Sequence, residues 1–214
     1  MGDVVEWAKQ VWAKTPRDVI SASGADTERY LHSQLAQQIE GMRDGDRVWA
    51  LVLEPSGKVI ALVGVMRRNA TDFEIDCDAG DGEVVLARLQ RFRLRVETEL
   101  SLSIAEGEVA DEVERERIRE GWPRGGREIV AGETIPAELP MLHDLVSFTK
   151  GCYPGQELVE RMDARSASSP FEIVRIDGDL SVGSEVVIDG EVIGTVTSAA
   201  DGAMLVRARR KRPS

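Results

Sequence analysis

The sequence has few of the residues from which disulfide frameworks and metal centres are built. Its 214 residues include two cysteines, Cys77 and Cys152, and two histidines, His32 and His143. Two cysteines exclude a disulfide framework. A structural zinc or a protein-held iron–sulfur cluster takes about four such ligands at motif spacing. We therefore expect neither a disulfide nor a metal site.

Long apolar runs and an overall basic charge are also missing. No run approaches the roughly 20 apolar residues that span a bilayer. Residues 1–13 lack the basic and then apolar pattern of a secretory signal. The formal charge of −11 disfavours a nucleic-acid partner, because binding a polyanion needs clustered Lys and Arg. The basic run at 207–212 is interpreted as a solvated terminus. The sequence predicts a cytoplasmic protein with no membrane and no direct nucleic-acid contact.

Hydrophobic periodicity predicts an α+β main body with helices packed on antiparallel sheets. Apolar residues near helical spacing in residues 1–13 predict a short amphipathic helix that docks on the body. The other predicted strands and helices are strand 18–23, helix 26–40 ended by Gly41, strands 47–53, 58–66 and 71–77, helix 82–92 and strand 96–104. Cys77 alternates with Phe73 and Ile75, which predicts a core residue. The charged stretch 111–120 is interpreted as a solvated helix, and the Gly- and Pro-rich stretch 121–140 as a surface crossing segment.

The C-terminal part has a different pattern. Small polar residues at 164–170 predict a linker. Four short strands follow, at 171–176, 185–188, 192–197 and 203–208, separated by three Asp-Gly pairs that favour tight hairpins. We therefore expect two domains, a main domain over residues 1–165 and a small antiparallel β-barrel over residues 166–214.

The segment Lys-Gly-Cys-Tyr-Pro-Gly-Gln-Glu, residues 150–157, is the strongest candidate for a functional site. Two glycines and a proline predict a tight strand-to-helix turn, with the helix starting near Gly155 or Gln156. Cys152 then lies near the positive end of that helix, which favours a thiolate, and Lys150 adds a second positive charge if its side chain turns the same way. A buried structural cysteine is the alternative, and local chemistry leaves both interpretations open.

This octapeptide resembles the signature of the YgfZ family, folate-binding relatives of the glycine-cleavage T-protein (aminomethyltransferase). Weaker matches occur in the family's order along the chain: residues 19–26 with 30–31, the Gly-Lys hairpin at 54–59, Arg117 with Ile118, residues 121–123, Glu128, residues 135–136, and Arg161. The resemblance covers most of residues 18–165.

The resemblance implies a T-protein-like fold, a central channel that receives tetrahydrofolate, and a role in maturing or repairing iron–sulfur proteins. Defects in tRNA modification would then be indirect, and iron–sulfur client proteins are possible partners. By resemblance, Cys152 and Lys150 are the catalytic residues. The cofactor-binding residues implied in the same way are Tyr153, Gly155, Gln156, Glu157 and Arg161.

The sequence also departs from the family pattern. The T-protein carries paired aspartates after its glycine hairpin, one of them its catalytic acid, and here Ala61 and Leu62 occupy those positions. Neither can carry a proton, which disfavours aminomethyl transfer. Arg119 stands where the T-protein has a pterin-binding glutamate, and Ser166 replaces a usual glycine. A folate-dependent one-carbon transferase and a non-catalytic docking scaffold remain the alternative functions.

Overall fold

The computed structural model describes residues 4–164 and 169–210, which contain two antiparallel sheets. The larger sheet has five strands: β1 (Arg17–Ser23), β2 (Arg47–Leu53), β3 (Val59–Arg67), β4 (Asp72–Asp78) and β5 (Glu99–Ser103). Their order across the sheet is β2-β3-β4-β1-β5, and every neighbouring pair is antiparallel. The predicted α+β class is confirmed.

One face of this sheet is covered by α2 (Thr27–Gln34) and α3 (Gly82–Arg91). The apolar residues between them form a core that includes Ile20, Leu31, Ile75 and Leu89, all fully buried. Cys77 lies in this core and is 0% exposed, as its strand pattern predicted. Burial strongly raises the pKa of the Cys77 thiol, so this cysteine stays protonated and unreactive in the folded chain.

The opposite face is covered by a second core. It packs β2 and β3 against α1 (Val4–Gln10), the turn Trp12–Lys14, the crossing segment, α5 (Leu142–Leu145) and α6 (Gln156–Ala164). Trp12, Trp49 and Trp122 are its largest members, each at most 1% exposed. The N-terminal helix docks on the body as predicted. Because both faces of β2 and β3 are covered, almost every position of those strands is apolar.

The predicted helix over residues 26–40 is wrong beyond Gln34. Leu35 instead pairs with Val52 of β2, and the Ala36 N–H donates to the Leu51 carbonyl at 3.0 Å. The chain leaves the helix because the edge of the sheet offers hydrogen bonds to its backbone. Gly41, with φ of +87°, turns the chain seven residues after the helix has ended.

Helix α4 (Asp111–Glu120) is found where predicted, but it is not simply solvated. Arg117 is 0% exposed and donates to Glu128 at 2.9 Å and to the Ser198 hydroxyl at 2.8 Å. The same hydroxyl donates to Glu128 at 2.6 Å. The pair of Arg117 with Glu114, three residues earlier in the helix, follows from the charge pattern, but the burial does not, because Glu128 and Ser198 lie 11 and 81 residues further along the chain.

The C-terminal strands form an open sheet, so the predicted barrel is wrong. The strands are β6 (Phe171–Asp177), β7 (Glu185–Ile188), β8 (Glu191–Ala200) and β9 (Ala203–Arg209), in the order β6-β9-β8-β7. The edge strands β6 and β7 do not pair with each other. Two Asp-Gly pairs, at 189–190 and 201–202, make the predicted tight hairpins. The pair at 177–178 begins a longer crossing to β7.

Several predictions fall at the limits of the described residues. The domain boundary at 165/166, most of the predicted linker and Ser166 lie outside them. The basic run is not a solvated terminus over its first part, since Arg207 to Arg209 belong to β9 and Arg207 pairs with Glu138 at 2.7 Å. No helix within residues 4–164 and 169–210 is long and apolar enough to cross a bilayer.

Candidate functional site

Residues 150–157 join α5 to α6 through irregular backbone. Helix α6 begins at Gln156, as the glycine and proline pattern predicted. The preceding strand is absent: residues 146–155 contain no regular element, so the strand-to-helix turn is wrong in its first half. The turn is made by Gly155, whose φ of +87° is a conformation that suits glycine.

Lys150 anchors the start of this segment to the end of α2. Its ammonium donates to the carbonyl oxygens of Leu35 at 2.6 Å and Gln37 at 3.1 Å, and also to that of His32. The His32 carbonyl lies in the last turn of α2, where carbonyls lack partners within the helix, and the Leu35 and Gln37 carbonyls follow the helix; a cation satisfies all three. Burial lowers the pKa of Lys150 to about 8, partly offset by the charge of Glu40. All three donors are used, so none remains to stabilise a Cys152 thiolate.

Cys152 is exposed, whereas Cys77 is buried. The alternative of a buried structural cysteine at position 152 is therefore wrong. An exposed cysteine next to an anchored lysine is a thiol that a dissolved reactant or a partner protein can reach. It is the single accessible thiol of this chain, because the sequence holds only these two cysteines.

Gly155 anchors the other end of the segment by packing on the hairpin between β2 and β3. A Cβ at this position would lie 2.8 Å from the Glu54 carbonyl oxygen and 2.9 Å from the Cα of Gly57. Leu158, one turn into α6, covers Gly57 from the same side. The segment 150–157 and the hairpin at 54–59, about 100 residues apart in sequence, are therefore in contact. The close approach is possible because Gly155 and Gly57 have no side chains.

The predicted cofactor-binding residues are not all on the same side of α6. Glu157 is 87% exposed at its side chain and pairs with Arg161, and Gln156 donates to Glu160 at 2.6 Å on the outer surface. Their cofactor role stays a prediction.

Tyr153 points inward instead. It is 6% exposed, and its hydroxyl has no hydrogen-bond partner among the described residues. Burial, with the charge of Glu160, raises the pKa of Tyr153 to about 12.

A cavity of about 460 Å³ lies between the crossing segment and the C-terminal sheet. Arg207 stacks over the Phe171 ring at 4.0 Å and is held in place by Glu138. The cavity is also lined by two arginines and two glutamates that form no ion pair within residues 4–164 and 169–210: Arg127, Arg209, Glu133 and Glu185. This mixture of charges suits a ligand that carries both acidic groups and N–H donors.

Sequence reasoning missed this cavity, because it forms only where the two parts of the chain meet. It also missed Asp81, a half-buried residue just before α3. Burial, and then the charges of Asp78 and Asp18, raise the pKa of Asp81 to about 6. No local pattern identified it, since an aspartate before a helix is usually a simple cap.

The positions of the T-protein's aspartates hold no titratable group here. Ala61 is 0% exposed in the helix-side core, and Leu62 is 4% exposed in the second core. Arg119 lies on the surface and pairs with Asp201 at 3.3 Å. None of the three offers an acid for a bound substrate.

Comparisons with known proteins place the fold in a class. No family model matches the sequence. An uncharacterized protein of Haemophilus influenzae is 24% identical over 233 residues, which cover 87% of this chain and 83% of that protein. The crystal structure of the glycine cleavage system aminomethyltransferase T from Bartonella henselae superposes with a TM-score of 0.77 at 11% identity. It covers 96% of this chain and 81% of that chain. The protein therefore has the aminomethyltransferase T fold, and at this identity the likeness speaks for the fold alone.

Proposed function

We propose that this protein binds a reduced folate and serves as an accessory factor in the maturation or repair of iron–sulfur proteins, acting through Cys152. The observation that carries the proposal is the form of residues 150–155. The segment is fixed at one end by Lys150 and at the other by Gly155, while Cys152 between them is exposed. Such a thiol is presented at a defined place rather than buried for packing.

Aminomethyl transfer is not proposed. That chemistry needs an acid to handle a proton and a developing cation near the substrate amine. Ala61 and Leu62 supply none and are enclosed by apolar neighbours. A binding role that uses the same fold requires no such acid.

The cavity beside the C-terminal sheet fits tetrahydrofolate in size and in charge. Cavities of about 300–1,000 Å³ hold molecules of this class. The glutamate tail of a folate carries carboxylates that Arg127 and Arg209 can pair with, and the pterin carries N–H donors that Glu133 or Glu185 can accept. Its rings can lie on the stacked pair of Phe171 and Arg207. When bound, the folate would supply a carrier for one-carbon groups.

Calorimetric titration with tetrahydrofolate tests the binding step. We expect saturable binding by the wild type and a loss of at least about tenfold in affinity in an Arg127→Ala, Arg209→Ala double variant, because each removes a charged contact. Arg43→Ala is the matched control, since that side chain is 88% exposed. Loss of binding in Glu157→Ala instead would move the site to the outer side of α6. No binding by the wild type would remove the cofactor from the proposal.

Complementation tests the role of the thiol. In a strain that lacks this protein, Cys152→Ala should fold and bind folate but fail to restore iron–sulfur enzyme activity. Cys77→Ala serves as the control for loss of a cysteine as such. Full rescue by Cys152→Ala would show that the thiol has no role, and would favour the docking scaffold.

A further inference from the structure

At the end of α2 and just after it, three backbone carbonyls accept hydrogen bonds from one distant side chain, that of Lys150. The carbonyls of His32, in the last turn of α2, and of Leu35 and Gln37, which follow the helix, converge on the Lys150 ammonium, 113 to 118 residues further along the chain. Lys150 is only 8% exposed. An ammonium has three donors for these three acceptors, whereas a neutral amine has two donors and a lone pair that would face a carbonyl. The arrangement therefore requires the charged form.

His32 completes this arrangement from the α2 side. Its Nδ1 accepts the N–H groups of Ile39 and Glu40, at 3.3 Å each. Those bonds need an unprotonated Nδ1. Burial and the nearby Lys150 charge lower the pKa of His32, while Glu40 and Glu28 oppose that effect. Protonation of His32 would remove an acceptor and place a second cation beside Lys150.

We call this group the α2 clasp: the Lys150 ammonium, the three carbonyls and the His32 ring. The charged and titratable groups that face it are Glu28, Glu40 and the Tyr153 ring, whose centroid lies 5.1 Å from the Lys150 Nζ. Glu40 is the acid shared by both members, at 3.9 Å from the His32 Nε2.

We propose that Lys150 is a positioning residue, and that the α2 clasp holds residues 147–155 on the main body so that Cys152 is presented at a fixed place. The inference rests on the proposed role of Cys152, but the clasp can be tested without folate or a client protein. The clasp is closed when Lys150 is charged and His32 is neutral. It opens at alkaline pH as Lys150 loses its proton, and at acid pH as His32 gains one.

A nitroxide attached to Cys152 in the full chain reports on this directly, since buried Cys77 does not react. In the wild type we expect a restrained spectrum at pH 7 and a mobile component with a midpoint near the Lys150 pKa of about 8. Lys150→Met should be mobile at every pH. Its amides at 32–40 and 147–155 should exchange at least about tenfold faster, because a bond to a charged group contributes that factor or more. Lys14→Met, at an exposed lysine, should behave like the wild type.

Lys150→Arg separates charge from mere packing. A guanidinium stays charged through this range, so the restrained spectrum should persist and the transition near pH 8 should vanish. A transition that survives in Lys150→Arg, or a Lys150→Met protein as restrained as the wild type, would overturn the proposal. If neither variant folds, the wild type decides alone: no mobile component between pH 7 and 9.5 would refute the clasp. Failed folate binding with a normal transition would remove the proposed function and leave the clasp.

Discussion

Replacing Gly155 with alanine is expected to destabilise the protein, whereas the same change at Gly151 is not. Gly155 has φ of +87°, and a Cβ there would lie 2.8 Å from the Glu54 carbonyl oxygen and 3.1 Å from the Leu53 Cβ. An L-residue in left-handed backbone costs about 1–2 kcal/mol. Overpacking against rigid backbone costs about 1–3 kcal/mol more. The total is about 2–5 kcal/mol.

Gly151 lies four residues earlier in the same segment. A Cβ on it would meet nothing within 4 Å, and its backbone is not left-handed. We expect Gly151→Ala to change the free energy of unfolding by no more than about 0.5 kcal/mol. Urea denaturation followed by tryptophan fluorescence measures both variants, and an unchanged m-value shows that the same transition is compared. Equal stability of the two variants would show that the segment does not pack on the β2–β3 hairpin.

Three further outcomes follow from burial and charge. In the native protein iodoacetamide should modify Cys152 alone, and Cys77 should react only after denaturation, as peptide mass spectrometry would show; native modification of Cys77 would contradict the packing of its core. Asp81→Asn should be more stable than the wild type by about 1–2 kcal/mol at pH 8 and equally stable below pH 4; urea denaturation at both pH values measures this difference. The pKa of Asp81 in the folded protein is about 6, above its ordinary value of 3.8, so the wild type loses stability as the pH rises from 3.8 to 6. Because Asp81 is partly solvated, the loss is smaller than the full pKa difference would give. Glu128→Ala should cost about 2–4 kcal/mol because it removes the fully buried acceptor of Arg117 and Ser198, although Glu114 still pairs with Arg117, whereas exposed Glu157→Ala should cost about 0.5 kcal/mol or less; similar losses would contradict the buried pair.

Local periodicity predicted most strands and helices to within one or two residues. β2 and α4 have the predicted bounds, because an apolar run between turns and a charged helix between Gly and Ala residues are both local patterns. The end of α2 was not predictable in this way. Leu35 and Ile39 keep helical spacing and are buried, but the sheet edge and Lys150 take over the backbone hydrogen bonds.

The candidate site was predicted in part. The start of α6 and the turn at Gly155 were predicted correctly, the role of Gly151 in that turn was not, and the functional role of residues 150–157 stays a prediction. The sequence left open which way the Lys150 side chain turns, and in the structure its charge binds backbone carbonyls at and after the end of α2 rather than Cys152. The prediction of a C-terminal barrel was wrong because closure requires β6 to pair with β7. That pairing depends on the curvature of the whole sheet rather than on the pattern of either strand.

The contacts between the main body and the C-terminal sheet determine whether the protein can be produced as two separate fragments. Ser198 completes the Arg117–Glu128 pair, and Arg207 neutralises buried Glu138. A fragment that stops after α6 would carry both acids without these partners, so we expect it to be insoluble when produced alone. Co-expression with the C-terminal fragment should recover soluble complex, which makes a split at this junction usable as a reporter of reassembly.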